Sequence, residues 1–420
     1  MPGGVIQLLQ VGEEDKYLIG TPQITFFKTV YKRHSNFALE TRQYQFNNGA
    51  SYGNTSSFKI PHDGDLICRM TLNIELPNLN PNGTSANTFS YVNAIGHLLI
   101  EETYIEIGGL IIDRQYGEWL DIWSELSQGS GKKDGYNEMI GKKKRNAFRY
   151  NSFSSKLELF VPLNFWFCKN YGMALPLLCL KYQNVFLKVK FRKFDNCWIS
   201  EKKGFTPENQ RQLNCYVFID YIYLDEDEKQ KFLSNSQTYL IEQVQFTGDD
   251  YYSTSTKQVI KELNLSHPCK ELIWTIQRAD VYVRSSTTDP DFTYGNDWFN
   301  FSTFKSNYSS IKKDSFKSFK LQLNGQDRTA FIKASVLRVM NNYYHHSLIP
   351  DNYIYTLPFA LRPEEHQPTG TLNFSVIDKT RIILKMNEDI DYDFVLKFYA
   401  VNYNILIFTE GMAGFVFCLK

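Results

Sequence analysis

The segment DLICRMTLNIEL, residues 65–76, alternates polar and apolar side chains along nearly its whole length. Apolar residues occupy every second position from Leu66 to Leu76, and only Ile67 breaks the pattern. A period of two over this length indicates a β-strand with one buried face and one face in water. Similar runs are VFLKVKF, TYIEIGG, LELFVPL, CYVFIDYIYL, KELIWTIQ, SFKLQLNG, RIILKM and FVLKFYAVNYNILIF. The sequence therefore predicts an all-β protein.

The two halves of the chain carry the same order of signals. TYIEIGGLIIDRQ resembles FKLQLNGQDRTA: each reads as a strand, a glycine turn and an Asp-Arg pair. Further along, LFVPLNF and VFLKVKF are echoed by YTLPFAL and RIILKM, and each half closes on a long aromatic-rich strand. A repeat of this length is far too long for a solenoid, so we predict two tandem β-sandwiches. About eight strand candidates per copy is the jelly-roll number. An immunoglobulin-like sandwich is the alternative, but it usually has about 100 residues.

The predicted fold is thus two tandem eight-stranded jelly-roll β-sandwiches, a double jelly roll, with a few short helices in loops. The expected division is an N-terminal arm (1–24), a first jelly roll (25–224), a connector (225–237) and a second jelly roll (238–420). One helix is expected where an apolar stripe at helical spacing runs from Tyr116 to Leu126, lying on a sheet and covering it. A second is expected in DEDEKQKFLSNS, residues 225–236, because its acids precede its bases.

Composition limits the classes of function. The 46 basic and 45 acidic residues nearly cancel, so a cationic surface for nucleic acid is not indicated for the whole chain. The seven cysteines form no C-x-x-C pair and mostly lie in apolar runs, which favours buried thiols in a reducing compartment. The N-terminus lacks the pattern of a secretory signal, and no stretch approaches the roughly 20 apolar residues of a membrane span. We expect a soluble protein made in the cytoplasm.

Motifs that would carry chemistry are not found in the sequence. It contains no phosphate-binding loop, no nucleophile elbow and no histidine pattern with chelating spacing. His345 and His346 would point to opposite faces of an extended chain, so a loop or surface pair is expected. HDGD, residues 62–65, is interpreted as a tight turn in which Gly64 takes a positive φ. We therefore predict no catalytic, cofactor-binding or metal-binding residues, and a scaffold or a protein that binds through broad surfaces.

Two charged motifs have competing interpretations. The run GKKKR, residues 141–145, is expected to be a solvated loop, with an anionic partner as the minority interpretation. The recurring pairs Asp113–Arg114 and Asp327–Arg328 are expected to form a structural ion pair or a helix start at the same structural point of each half.

The stretch LIGTPQITFFKTVYKRHSNFALE, residues 18–40, resembles the N-terminal signature of the major capsid proteins of nucleocytoplasmic large DNA viruses. Further blocks agree in order over nearly the whole chain, namely DGDLI, IEIGGLIIDRQYGEW, FVPLNFWF, GMALPLLCLKYQNVFLKV, YIYLDEDEKQKF, YLIEQVQ, LNGQDR, FIKASVL and PTGTLNFSVID. The resemblance implies a non-enzymatic double jelly roll that forms homotrimers, pseudo-hexagonal capsomers that tile the outer shell of an icosahedral virion assembled in the host cytoplasm. It also implies contacts with neighbouring capsomers, and with minor capsid proteins and an inner membrane layer at the capsomer base.

The resemblance also suggests a role for the basic, aromatic stretch within residues 18–40. Most of it is expected to pack beneath its own sandwich, because its side chains are too apolar for a free tail. The predicted assembly-contact residues are Ile24, Phe26, Phe27, Tyr31, Lys32 and Arg33.

Alternatives to the major capsid protein remain at this stage. One is a minor or paralogous double jelly-roll shell component, which copy number in virions would distinguish. Others are a cupin-like or carbohydrate-active enzyme, which stoichiometric bound metal would favour, and a sugar-binding lectin.

Overall fold

Two eight-stranded sandwiches follow one another along the chain. The computed structural model describes residues 23–79, 89–143, 155–200, 212–282, 296–303 and 313–417, together with Leu9, Leu18, Thr21 and Pro207. The first sandwich, barrel 1, has eight framework strands: β1 (Phe37–Gln45), β2 (Thr55–Lys59), β3 (Leu66–Leu76), β4 (Ile100–Ile107), β5 (Leu110–Tyr116), β6 (Leu157–Pro162), β7 (Val185–Phe191) and β8 (Gln212–Leu224). The second, barrel 2, has β9 (Gln237–Tyr252), β10 (Gln258–Glu262), β11 (Pro268–Arg278), β12 (Phe316–Leu323), β13 (Gln326–Asp327), β14 (Ile354–Pro358), β15 (Thr380–Met386) and β16 (Phe394–Thr409).

The two barrels have the same topology. In barrel 1 one sheet has the order β6-β3-β8-β1 and the facing sheet β2-β7-β4-β5. In barrel 2 the orders are β14-β11-β16-β9 and β10-β15-β12-β13, so every strand corresponds to the one eight places later. All these pairings are antiparallel, as in a jelly roll. The prediction of a double jelly roll is confirmed.

Shorter elements decorate this framework. The minor strands are Gln23–Ile24, Thr29–Val30, Ala50–Ser51, Phe89–Tyr91, Leu175–Pro176, Trp198–Ser200, Ile332–Lys333, Leu372–Asn373 and Met412–Phe415. The helices are α1 (Ile95–Leu99), α2 (Gly117–Ser127), α3 (Lys133–Met139), α4 (Trp166–Lys169), α5 (Glu226–Ser234), α6 (Ala279–Tyr282) and α7 (Asn341–His345), with a π-helical turn at Val336–Met340. Single 3₁₀ turns are Ser130–Lys132, Tyr171–Met173, Leu177–Cys179, Phe194–Asn196 and Phe374–Val376.

The break at Ile67 in the alternation of β3 has a structural cause. Ile67 pairs with Tyr221 and Arg69 pairs with Asp220, so Cys68 is an extra residue in a β-bulge. The bulge shifts the side-chain alternation by one, and Ile67 and Cys68 are both buried. The strand β3 therefore continues through Ile67, and the bulge explains the break in the pattern.

Large aromatic side chains fill the core of barrel 2. Trp274 on β11 is fully buried and stacks on Phe319 from the facing sheet at 4.5 Å and on Phe398 at 5.5 Å. Aromatic pairs at such distances add to the stability gained from area burial. Part of the high aromatic content of the sequence therefore fills the space between the sheets of barrel 2.

Both predicted helices are present. Helix α2 buries Trp119, Trp123 and Leu126, yet it lies between the barrels as well as on its own sheet, because Trp119 packs against Tyr399 of barrel 2 at 5.6 Å. Helix α5 begins after Asp225, whose carboxylate accepts a hydrogen bond from the Glu228 amide at 3.0 Å as an N-cap.

Six cysteines lie in the described residues and all carry free thiols. Five are buried and Cys168 is half-buried, as predicted, whereas Cys418 lies outside the described residues. Burial raises the pKa of the Cys68 and Cys179 thiols to about 11. Such thiols are protonated and unreactive at neutral pH.

Candidate assembly surfaces

The predicted arm residues lie on a small hairpin ahead of β1. Strands Gln23–Ile24 and Thr29–Val30 pair antiparallel, and Thr25 closes the turn. Its hydroxyl donates to the Lys28 carbonyl at 3.0 Å and accepts from the Lys28 amide at 2.9 Å. These two hydrogen bonds between Thr25 and Lys28 close the hairpin turn, which places Phe26 and Phe27 at the tip.

The expectation that the arm packs beneath its own barrel is wrong. Phe26 and Phe27 are each 101% exposed, Ile24 is 75% exposed and Tyr31 is 83% exposed. Four apolar side chains in one short segment form a patch of a kind that soluble monomers rarely expose. The hairpin therefore presents an exposed apolar patch in the single chain.

The basic residues of the arm are placed differently. The Arg33 guanidinium donates to Asn36 Oδ1 at 3.1 Å, and its backbone amide donates to the Leu18 carbonyl at 2.7 Å. Lys32 is half-buried. The described structure therefore orients Arg33 along the chain rather than towards the hairpin tip.

Strand register places the arm at a shared end of the two barrels. The first residue of β1, Phe37, pairs with Leu224 at the end of β8, where α5 begins. The first residue of β9, Gln237, pairs with Phe408 near the end of β16. The arm, the connector and the hairpin formed by the end of β16 and Met412–Phe415 therefore meet at one end of the molecule. We call this end the base.

A groove of about 720 Å³, lined by both apolar and polar side chains, opens at the base. Phe232 and Leu233 from the connector helix line one side, and Phe408 and Met412 of barrel 2 line the other. Tyr182 of barrel 1 completes the wall, and its backbone amide donates to the Gly411 carbonyl at 3.1 Å. The groove thus lies where barrel 1, barrel 2 and the connector join.

The barrels also meet along two sheet edges. Strand β5 ends the order of one barrel 1 sheet, and β9 ends the order of one barrel 2 sheet. The Gln243 side-chain amide donates to the Ile112 carbonyl at 2.5 Å, and the Val244 backbone amide faces the Asp113 carboxylate. Burial raises the pKa of Asp113 to about 7, an effect that Gln115 and the nearby Lys169 oppose. Side chains therefore join the two edges without a continuous backbone ladder.

A buried ionic cluster secures this junction. The Glu118 carboxylate accepts from Lys397 Nζ of barrel 2 and lies 3.4 Å from Arg192 of barrel 1. Asp249 lies 3.6 Å from the same ammonium group. Burial lowers the pKa of Lys397, and the two carboxylates oppose that effect. Such a cluster holds two bodies in one orientation because each unpaired charge would be costly in a buried position.

A second cluster centres on Glu242 of β9. Its oxygens lie 2.9 Å from Lys169 of barrel 1, 2.6 Å from Lys270 and 3.3 Å from His366. Burial alone would raise the pKa of Glu242, but the surrounding Lys169, His366 and Lys270 hold it well below its usual range. The junction therefore contains several buried ion pairs, which favour a single relative orientation of the barrels.

The basic run 141–145 is not a simple solvated loop. The Lys142 side chain is 10% exposed and lies 2.6 Å from Asp121 and 2.7 Å from Glu125, and Asp121 also contacts His97 at 3.3 Å. Lys142 thus pairs with α2 from inside the protein, and this expectation was wrong for that residue. Lys143 is exposed, whereas Lys144 and Arg145 lie outside the described residues.

The expectation of a loop or surface histidine pair is wrong for His346. The His346 side chain is fully buried between Glu271 and Glu364, with both ring nitrogens 3.0 Å from a carboxylate. Burial by itself would lower the pKa of His346, but the two carboxylates outweigh it and raise the pKa to about 9. His345, the last residue of α7, is half-buried, and its Nδ1 lies 2.9 Å from the Leu361 carbonyl.

Two turn predictions also need correction. The φ of Gly64 is not positive, and a Cβ there would lie 2.7 Å from the Cβ of Tyr221, so close packing requires the glycine. Asp113 and Asp327 do not occupy the same structural point. Asp113 is buried four residues after Gly109, whereas Asp327 is exposed two residues after Gly325 and pairs with Lys320 at 2.6 Å.

Metal-ligand clusters and membrane-spanning helices are both absent from the described residues. Within them, no group of three or more histidine, cysteine or acidic side chains is arranged to hold a metal ion. In that same part of the chain, no helix is long and apolar enough to cross a membrane.

Sequence reasoning missed the junction clusters. Their signal was a lysine inside an otherwise apolar strand, as at Lys397 in FVLKFYA; Lys270 in PCKELIW is less marked because Glu271 follows it. A lysine in such a run must find a buried partner, so it indicates a paired cation. The identity of the partner depends on the tertiary structure alone.

The topology defines a class of protein, the double jelly rolls, and solved structures of this class agree. A chain of the PBCV-1 virus capsid matches with a TM-score of 0.76 and 26% identity, covering 94% of this chain and all of that one. The Faustovirus major capsid protein matches with a TM-score of 0.75 at 13% identity, covering 92% and 93%, which supports the fold.

Sequence comparison defines the family. Residues 25–225 match the family model described as major capsid protein N-terminus, and residues 228–414 match that of the large eukaryotic DNA virus major capsid protein. The major capsid protein of Pyramimonas orientalis virus is 35% identical, covering 99% of this chain and 100% of that protein. That of Paramecium bursaria Chlorella virus 1 is 31% identical with the same coverage. The chain belongs to the large eukaryotic DNA virus major capsid protein family.

Proposed function

We propose that this protein is a non-enzymatic building block that trimerises into pseudo-hexagonal capsomers of an outer icosahedral shell. The observation that carries this proposal is the presence of two topologically identical barrels in one chain, held in one orientation by buried ionic clusters. Three such chains around an axis present six similar units, and a block of this shape tiles a flat facet. A closed threefold ring repeats one heterologous contact until it returns to its start.

The base is proposed to face inward and to contact neighbouring capsomers, minor capsid proteins and an inner membrane layer. Support comes from the fully exposed Phe26 and Phe27 at the base. The same assignment divides the chain into an arm (1–24), a first jelly roll (25–224), a connector (225–237) and a second jelly roll (238–420). Synthesis and assembly would take place in the host cytoplasm, with no specific nucleic-acid partner.

Mass in solution tests the capsomer. Light scattering should give about three times the 49.1 kDa chain mass, whereas a persistent monomer at high concentration would contradict the proposal. Interfaces of obligate oligomers bury more than roughly 2,000 Å², so the trimer should persist on dilution.

The arm is tested separately. Deleting residues 1–20 should leave trimers intact but impair shell assembly in infected or co-expressing cells. Changing Phe26 and Phe27 to serine in the full chain is the matched variant, because it alters the exposed hairpin tip alone. Normal particles from both variants would count against an assembly role for the arm.

A further inference from the structure

The junction within one chain uses two sheet edges, and each edge has a second copy elsewhere in the same chain. The edge of β5 in barrel 1 lies against the edge of β9 in barrel 2. By the shared topology, β13 is the counterpart of β5 and β1 is the counterpart of β9. A single chain therefore joins one β5-type edge to one β9-type edge and leaves the other pair unmatched.

The β-bulges fix which residues of β1 and β9 correspond. In barrel 1 the bulge lies opposite Tyr221, which pairs with Glu40 on its other side. In barrel 2 the equivalent bulge lies opposite Asn402, which pairs with Gln243 on its other side. Glu40 is therefore the counterpart of Gln243, and the next residue, Thr41, is the counterpart of Val244.

The hairpin turns fix the second correspondence. β4 and β5 are joined by Gly108–Gly109, and β12 and β13 by Asn324–Gly325, all four with positive φ. Two-residue turns of this kind set the register of the strands they join. Counting from the turn, Ile112 corresponds to Arg328 and Asp113 to Thr329, and the Arg328 and Thr329 amides both face the Leu321 carbonyl.

Burial differs between the two copies of each edge. Ile112 and Asp113 are 1% and 3% exposed inside the chain, whereas Arg328 is exposed. Glu242 is 3% exposed, whereas its counterpart Leu39 on β1 is 48% exposed. At these positions the surface that is covered at the internal junction is open at its second copy, whereas Gln243 and its counterpart Glu40 are both half-buried.

We propose that the β1 edge of one chain lies against the β13 edge and the residues after it in the next chain, by the same geometry as the internal junction. This inference rests on the proposed trimer and names its contact surface. Thr41 of one copy then lies beside Thr329 of the next, as Val244 lies beside Asp113. Glu40 lies opposite Arg328, so an ion pair replaces the hydrogen bond from Gln243 to the Ile112 carbonyl.

The charges at the two edges suit this arrangement. Glu40 accepts from Arg42 Nε at 3.0 Å, which holds its carboxylate at the open strand. Arg328 forms no salt bridge with any described residue, and a guanidinium is well shaped to bind a carboxylate at an interface. Each chain offers one edge of each type, so the contact is heterologous and closes into a ring with no edge left over.

Paired cysteines test the register directly. The variant Thr41→Cys/Thr329→Cys should form disulfides between chains under mild oxidation and give a covalent trimer on non-reducing gels. Disulfides need Cα atoms within roughly 7 Å, so only a close match of these two positions succeeds. Each single variant is a control, and Thr41→Cys/Gly135→Cys is the matched control, since Gly135 lies in open space on α3.

Charge exchange gives a second readout. Glu40→Arg or Arg328→Glu alone should raise the concentration at which trimers dissociate by up to about fivefold for each contact, the most that a surface ion pair provides. The double exchange should restore wild-type dissociation, and a structural defect in either single variant would not be repaired in this way.

The outcomes separate this inference from the proposed function. A covalent trimer from the cysteine pair, absent from the controls, supports the interface. Trimers by light scattering without cross-links, or with single variants that are not rescued, overturn the interface and leave the capsomer standing. A chain that stays monomeric at all concentrations overturns both.

Discussion

Replacing Glu118 with alanine should loosen the junction between the barrels. The carboxylate neutralises Lys397, which is 1% exposed, and lies 3.4 Å from the nearly buried Arg192. Removing one partner of a buried pair costs about 3–5 kcal/mol because the remaining charge is left without compensation. Asp249 still lies 3.6 Å from the ammonium group, and Arg192 stacks on Trp298 at 4.2 Å. We therefore expect the lower end of the range, about 3 kcal/mol.

Urea unfolding at one fixed protein concentration measures this loss. Tryptophan fluorescence is a suitable probe because Trp119 lies in the same junction. The matched control is Glu118→Leu combined with Lys397→Met, which replaces the pair by apolar side chains of similar size. Since apolar replacement of a buried pair is often close to neutral, the double variant should lie within about 1 kcal/mol of the wild type.

Two results would refute the reasoning. One is a loss below about 1 kcal/mol for Glu118→Ala, the value of an exposed pair. The other is a double variant as unstable as the single one, which would mean that packing rather than the unpaired cation is responsible.

Three further outcomes follow from the buried groups. The raised pKa of His346 means that its stabilisation is complete below pH 6.5 and is lost as the pH rises towards 9; His346→Gln should flatten that part of a pH–stability curve measured by thermal unfolding. The pKa of Asp113 is raised because burial disfavours its ionised form, so the free energy of unfolding should fall by on the order of 4 kcal/mol between pH 4 and pH 7. Asp113→Asn should remove this pH dependence. Gly64→Ala should cost about 1–3 kcal/mol in urea unfolding because its Cβ would overlap Tyr221, whereas Gly135→Ala in open space should be neutral or slightly stabilising.

Much of the fold could be predicted from local patterns. The period-two alternation from Leu66 to Leu76 identified a strand because side chains on a strand alternate between faces whatever surrounds them. The order of strand and turn signals identified two copies because both halves must build the same sheets. The acidic start of DEDEKQKFLSNS likewise identified α5, since a helix N-terminus favours negative charge on its own.

Other expectations failed because they concern contacts between distant residues. GKKKR is basic in sequence, yet Lys142 turns inward to Asp121 and Glu125 on α2. His346 pairs with Glu271, 75 positions away, and no local pattern marks that partner. The apolar arm was expected beneath its own barrel, but an amino-acid sequence gives no account of which surface covers a hairpin.

The sequence by itself determined the strand content, the tandem repeat and the kinship with capsid proteins, since all three depend on side-chain order along the chain. Only the tertiary structure decided that the β5 and β9 edges meet and that Glu118 and Lys397 form an ion pair at their junction. It also decided that the edges of β1 and β13 have no such partner edge within the described part of the chain. Those facts depend on the relative orientation of the two barrels. That orientation is set by buried charges drawn from positions such as Glu118 and Lys397, which lie 279 residues apart.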